Sequence, residues 1–252
     1  MAVHTFHTPE PVELQVKVPA GDIEVETVDG DESTVIVEGS DKLVENTRVE
    51  LVDNRLVVEL RNKGAFGITI SIGDFSFGGS ELHIRARVPH SSAAELSTAS
   101  ADMDLRGRYA SLSSKSASGD LVLEGEIAGD AEIKTVSGDA RLRSVRGSLI
   151  VQTVSGDVTA ASVGGDVTAK SVSGDVRVDS ARQGRVSAQS VSGDIEIGVA
   201  PGTNLDVDAG SVSGDLSSDV PLGSDAGDIG DGPVLVVRGK TVSGDFKVFR
   251  AA

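Results

Sequence analysis

The chain has 252 residues, 30 of them glycine, with no cysteine, no tryptophan and 39 acidic against 23 basic side chains, for a net charge of -16. That length suits one large all-β domain or two small ones, and the missing cysteine excludes disulfides, thiolate metal sites and a cysteine nucleophile. The acidity and a 3% aromatic content oppose nucleic acid binding through phosphate contacts or base stacking.

The first ten residues have neither a positive start nor an apolar core, so no secretory signal is expected there. No apolar run reaches the ~18 residues needed to cross a bilayer. A cytoplasmic location without direct membrane insertion is the expectation. His4 and His7 could take up metal only adventitiously, on a terminus expected to fray. From residue 12 onward, apolar residues alternate with polar ones, which predicts strands over 12–18, 23–26 and 35–37. A hairpin is predicted from 49–52 and 56–60 around the turn Asp53-Asn54, and a further strand over 82–88 stops at Pro89. Residues 1–95 thus read as an irregular β-rich N-terminal cap segment, covering a strand edge that would otherwise invite polymerisation.

Residues 96–252 are a repeat region. Residues 97–105 form a first unit with Ala101 where glycine would stand, 18 residues before Gly119. The pentapeptide Ser/Thr-Val-Ser-Gly-Asp then recurs with glycines at Gly119 (there as Ser-Ala-Ser-Gly-Asp), Gly138, Gly156, Gly174, Gly193, Gly214 and Gly244, at intervals of 19, 18, 18, 19, 21 and 30. A looser series, Gly129, Gly147, Gly165, Gly184 and Gly202, falls between them. Two nonapeptides therefore make one coil of 18–19 residues. Glycine every ninth residue opposes a helix. Alternation places Leu121, Ala140, Val158, Val176, Ile195 and Leu216 in one inward column, and Leu123, Leu142, Ala160, Val178 and Ile197 in a second. The opposite sheet offers Ala131, Leu149, Val167, Val186 and Leu205, with Ile133, Val151, Ala169, Ala188 and Val207. The fold expected is all-β: a parallel β-solenoid with two short strands per coil and a thin core that accounts for the missing rings. An acidic loop over about 219–232 is expected to protrude and move, and a closing strand over 241–250 brings Phe246 and Phe249 to seal the open end.

The chemistry such a chain could carry is narrow. Asp120, Asp139, Asp157, Asp175, Asp194 and Asp215 should line one edge, with Asp245 at its end. Their expected task is turn formation: glycine supplies positive φ, while Ser and Asp bind backbone groups at the corner. The same ladder is a candidate cation site. However, the calcium-binding nonapeptide uses Gly-Gly-x-Gly-x-Asp, whereas here a single glycine directly precedes each aspartate. Asp225, Asp228 and Asp231 lack the spacing of an EF-hand loop. The four histidines lie outside the repeat, and no Gly-x-Ser-x-Gly elbow occurs. Residues 238–241 mimic the end of a phosphate loop, but the first glycine of that motif would fall on Val234. No catalytic residue, metal site or cofactor is assigned.

At the repeated Thr/Ser-Val-Ser-Gly-Asp, preceded by an irregular β-rich segment and closed by Thr241-Val-Ser-Gly-Asp-Phe246, the sequence resembles the bacterial β-strand-repeat family of candidate adhesins, also called the toastrack domain. The resemblance covers nearly the whole chain, most strongly 97–252. It implies a non-enzymatic protein without agreed ligand residues, in a group linked to envelope-stress sensing and scaffolding. The function expected is a protein-interaction or scaffold module with a protein partner. A self-assembling structural protein and a cation-binding solenoid are the alternatives.

Overall fold

The computed structural model describes residues 1–61, 82–220 and 232–251. The N-terminal part contains β1 (Ala2–His7), β2 (Glu13–Lys17), β3 (Asp22–Val28), β4 (Glu32–Glu38), a short helix α1 (Asp41–Asn46), β5 (Thr47–Val52), β6 (Arg55–Leu60), β7 (His83–Pro89), β8 (Ser92–Ser97) and β9 (Asp102–Lys115). The alternating segments become strands where expected. In the β5–β6 hairpin, Asp53 takes the left-handed conformation with φ of 53°. The terminus does not fray: β1 pairs antiparallel with β4, from Ala2 opposite Val37 to His7 opposite Glu32.

The repeat supplies β10 (Leu121–Ile127), β11 (Ala131–Lys134), β12 (Ala140–Val145), β13 (Leu149–Gln152), β14 (Val158–Ala160), β15 (Val167–Lys170), β16 (Val176–Ala181), β17 (Gly184–Gln189) and β18 (Ile195–Val199). These strands alternate between two parallel ladders, so each coil contributes one strand to each face. The even-numbered ladder stacks Leu121 on Ala140, then Val158, Val176 and Ile195. The odd-numbered ladder stacks Ala131 on Leu149, then Val167 and Val186. The long strand β9 joins the faces. It pairs with β10 from Met103 to Tyr109, a stretch that includes Gly107 with φ of 106°, and with β11 from Leu112 to Lys115. From β10 to β18 the inward columns are buried and merge into one apolar core that also takes in β2, β3, β7 and β8. At roughly 1.5–3 kcal/mol for each fully buried aliphatic side chain, this core is the main source of stability.

Both ends of the stack are interleaved, which the period alone does not disclose. At the N-terminal end, β2 lies between β6 and β8, while β3 lies between β7 and β9. At the C-terminal end the chain continues as β19 (Asn204–Ser211), β20 (Leu216–Ser218), β21 (Val234–Thr241) and β22 (Phe246–Arg250). There β21 inserts between β17 and β19, and β22 inserts between β18 and β20. Three expectations are corrected by this order. Leu216 follows Phe246 rather than Ile195, and it is 50% exposed on the outermost coil. In the odd-numbered ladder Val207, not Leu205, continues the Val186 column, by way of Val237. The 241–250 strand does not seal the end: Phe246 is buried inside the stack, while Phe249 lies over Gly198 on the outer face beneath the Arg177 guanidinium, 5.0 Å from its ring centre. Most of the acidic stretch 219–232 lies outside the described residues, as do Asp225, Asp228 and Asp231.

The corner glycines follow a rule different from the one expected. None of Gly119, Gly138, Gly156, Gly174, Gly193, Gly214 and Gly244 has positive φ; of the glycines in the looser series, only Gly184 and Gly202 do. What excludes a side chain is the coil beneath. A Cβ on Gly156 would stand 2.0 Å from the Gly138 carbonyl oxygen, and one on Gly174 would stand 2.1 Å from that of Gly156. Ordinary heavy-atom contact lies near 3.5–4.0 Å. Gly239 follows another rule, because its Cβ would fall 2.2 Å from the Phe246 ring, so one coil offsets a large residue with the smallest.

Two predictions follow from these contacts. Gly156→Ala should lower unfolding free energy by more than ~1 kcal/mol in chemical denaturation, whereas Gly210→Ala, with open space around it, should be neutral within ~0.5 kcal/mol. Gly239→Val should destabilise by roughly 1–3 kcal/mol and be partly rescued by Phe246→Val, a non-additivity that a double-mutant cycle would measure.

Candidate functional site: the serine, glycine and aspartate edge

Where the odd-numbered strands turn into the even-numbered ones, each pentapeptide forms the same corner. Its first residue continues the inward alternation, so Thr135, Thr153, Ser171, Ser190 and Thr241 are buried. The Thr135 hydroxyl donates to the Gly138 carbonyl and accepts the Gly138 N–H, both at 2.9 Å. Thr153 and Thr241 donate to Gly156 and Gly244 at 2.7 and 2.6 Å, and Ser171 donates to Gly174 in the same way. A small hydroxyl three residues before the glycine thus satisfies these corners, whereas the buried Ser190 Oγ has no hydrogen-bond partner.

The aspartates do come together, in a single file. The Asp139 N–H donates to Asp120 Oδ1 at 2.8 Å, Asp157 to Asp139 at 2.9 Å, Asp175 to Asp157 at 2.9 Å and Asp194 to Asp175 at 2.8 Å. Asp102 begins the file by accepting from Asp120. Asp215 does not follow Asp194: Asp245 stands between them, donating to Asp194 and accepting from Asp215, each at 2.8 Å. Every carboxylate in the interior of the file therefore spends one oxygen on the backbone of the next coil. Such charge-assisted bonds offset the repulsion of about 1 kcal/mol in water between carboxylates one coil apart. The opposite edge is less regular, with Asp130 accepting from Ser148 and Asp166 from Arg185. No group of three or more His, Asp or Glu side chains able to hold a metal ion occurs among the described residues.

Other side chains with chemical potential are tied into the fold. His90 Nδ1 lies 2.8 Å from Thr27 Oγ1, and its Nε2 lies 3.5 Å from Asp29, a hydroxyl–imidazole–carboxylate row that sequence reading missed. The Thr27 hydroxyl is buried and already accepts the Arg108 N–H, so it offers no exposed nucleophile. Tyr109 is buried and donates to the Val25 carbonyl at 2.7 Å; desolvation pushes its phenol well above the usual range. A shallow groove of about 380 Å³ on the odd-numbered face is rimmed by Glu13 and Glu95, which are held by Arg55 and Gln15 respectively. Glu132, also on its rim, titrates below the usual carboxylate range because Lys134 hydrogen-bonds to it. The motif residue that sequence reading left without a task is the valine of the pentapeptide. Its signal was available, since strict alternation from the buried Thr or Ser turns the next side chain outward.

No helix among the described residues is long and apolar enough to cross a membrane. The family model described as Toastrack DUF4097 matches residues 12–249. Three solved structures share the fold. A candidate lipid-binding protein from Parabacteroides distasonis is 16% identical with a TM-score of 0.61, over 98% of this chain and 96% of that one. A candidate adhesin from Bacteroides fragilis is 18% identical with a TM-score of 0.51, over the same shares of the two chains. A candidate adhesin from Parabacteroides merdae is 11% identical with a TM-score of 0.53, over 98% and 95%. Among curated proteins, none matches the chain.

The hydrogen-bonding role of the file sets an order among substitutions. Asp157→Asn keeps the acceptor for the Asp175 N–H and should be neutral within ~0.5 kcal/mol, or stabilising through lost repulsion, while Asp157→Ala should cost about 0.5–1.5 kcal/mol. Equal costs in urea denaturation would remove that role. Millimolar calcium should shift the melting temperature by less than about 3 °C, equivalent to under ~1 kcal/mol of linked stabilisation.

Proposed function

Since the chain belongs to the Toastrack DUF4097 family, we propose that it acts as a non-catalytic interaction or scaffold module for a protein partner of the bacterial envelope. One observation carries this reading: the repeated polar residues are consumed by the solenoid itself. The corner hydroxyls bond the corner glycines, and the aspartates bond the next coil. The most regular polar array in the molecule therefore builds a rigid frame, and its flat faces and edges are what remain for recognition. The candidate-adhesin descriptions of the Bacteroides fragilis and Parabacteroides merdae structures support a surface-recognition role at the level of fold.

End-to-end assembly into filaments is disfavoured by the N-terminal end. There the parallel ladders stop against antiparallel strands, β4 on β7 and β5 on β6, which present no parallel strand of the repeat to a following copy.

The test is affinity capture from lysate of the source bacterium, with chemical cross-linking and quantitative mass spectrometry. One or a few envelope proteins should be enriched over a bait of equal charge and unrelated fold, and their capture should survive Asp157→Asn. Enrichment equal to that of the control bait, or turnover of a substrate in a hydrolase screen, would reverse the assignment.

A further inference from the structure

The valines of the pentapeptide take no part in the core. Val136, Val154, Val172, Val191, Val242 and Val212 are 50, 41, 44, 46, 48 and 81% exposed. They follow one another in that order, because the serine after each valine donates its N–H to the valine carbonyl of the adjacent coil, as Ser155 does to Val136 and Ser213 to Val242. Five steps of about 4.8 Å make an apolar stripe roughly 24 Å long. The corresponding valines of the opposite edge, Val145 and Val163, are 1% exposed. A valine at this place in the repeat can therefore be turned inward, yet on this edge a whole column faces solvent.

The stripe has unlike margins. Along the odd-numbered face, two residues before the valines from Val136 to Val242, runs a column of hydrogen-bond donors, Lys134, Gln152, Lys170, Gln189 and Lys240, neighbours in successive strands; Lys115 extends it before Ala117, and Gly210 ends it before Val212. Lys134 also contacts Glu132 at 2.6 Å within the chain. Along the other margin, three residues after each valine, runs the aspartate file, whose carboxylates each have a second oxygen beyond the one facing the next coil, that of Asp139 lying 3.5 Å from the Arg141 guanidinium. Donors, valines and acceptors thus lie in three parallel lines.

We infer that this edge binds a second copy of the chain, valine stripe against valine stripe, around a twofold axis parallel to the direction of coil stacking. The choice of occupant and orientation comes from complementarity. Rotation about that axis carries the donor column of one copy over the aspartate file of the other, coil by coil, while the valines meet in the middle. A twofold axis across the stripe would instead set lysine against lysine and aspartate against aspartate. The pairing is isologous and closed, so it yields a dimer rather than a filament. It goes beyond the scaffold reading, which concerns a different protein.

The absence of native cysteine makes the test clean. Light scattering coupled to size exclusion, from about 1 µM to 1 mM protein, should show a dimer that dissociates in Val154→Glu/Val172→Glu with the β circular dichroism unchanged. Val136→Cys and Val212→Cys, at the two ends of the stripe, should each form a disulfide-linked dimer alone under mild oxidation. A wild-type monomer across that range, or a dimer that persists in the glutamate variant, would overturn the proposal. So would cross-linking only in a mixture of the two cysteine variants, the mark of an antiparallel pair. Should the glutamate variant not fold, the single-cysteine results still decide.

Discussion

Backbone lies directly on backbone at the corners of this molecule, and the rest of the architecture depends on that closeness. The glycine of each Ser-Gly-Asp corner sits so near the carbonyl of the glycine beneath that no side chain fits between them. Because the corners stack flush, the flanking strands keep parallel register, and identical inward positions meet in columns. The same closeness brings each aspartate within reach of the next aspartate's N–H. Glycine, aspartate and the hydroxyl residue are thus three answers to one steric condition, which is why they travel together through the sequence.

Much of this was legible beforehand. Apolar alternation located the strands, and the 18–19-residue spacing assigned them to coils, because both are local properties of a chain with a two-residue side-chain period. The reason for the glycines was not legible. A positive φ and a close approach from a neighbouring coil both demand glycine, and composition cannot tell them apart. Stacking order was also hidden, because a period states how residues align and not which coil sits on which. Leu216 was misplaced on that account, having been aligned with the coil before it in sequence, whereas Leu205 was misplaced by a two-residue shift of register. A clue did exist in the pairing of the sizes of Phe246 and Gly239, since a large ring in a thin core needs a gap opposite.

The candidate site divides along the same line. The aspartate file could be predicted as a file with backbone groups as its partners, but not that each interior carboxylate reaches across to the N–H of the next coil's aspartate. The exposed valines belong to the same pentapeptide and repeat as faithfully, yet their side chains make no hydrogen bond and fill no core. Polar regularity here serves internal construction, whereas apolar regularity on the outside has no internal use. The natural place to seek recognition is therefore the feature that the fold can spare.

Interleaving at the two ends has a consequence for the history of each molecule. On the ribosome, β19 and β20 emerge before β21 and β22, yet the later pair must lie beneath the earlier one. The outermost coil cannot settle until β21 and β22 have been made. Once formed, this end acts as a clasp: a pulling force applied beyond β22 meets a strand paired on both sides over Phe246–Val248 rather than a free outer coil. A repeat architecture that would ordinarily peel from its tips is thereby held shut by the order in which its own chain is threaded.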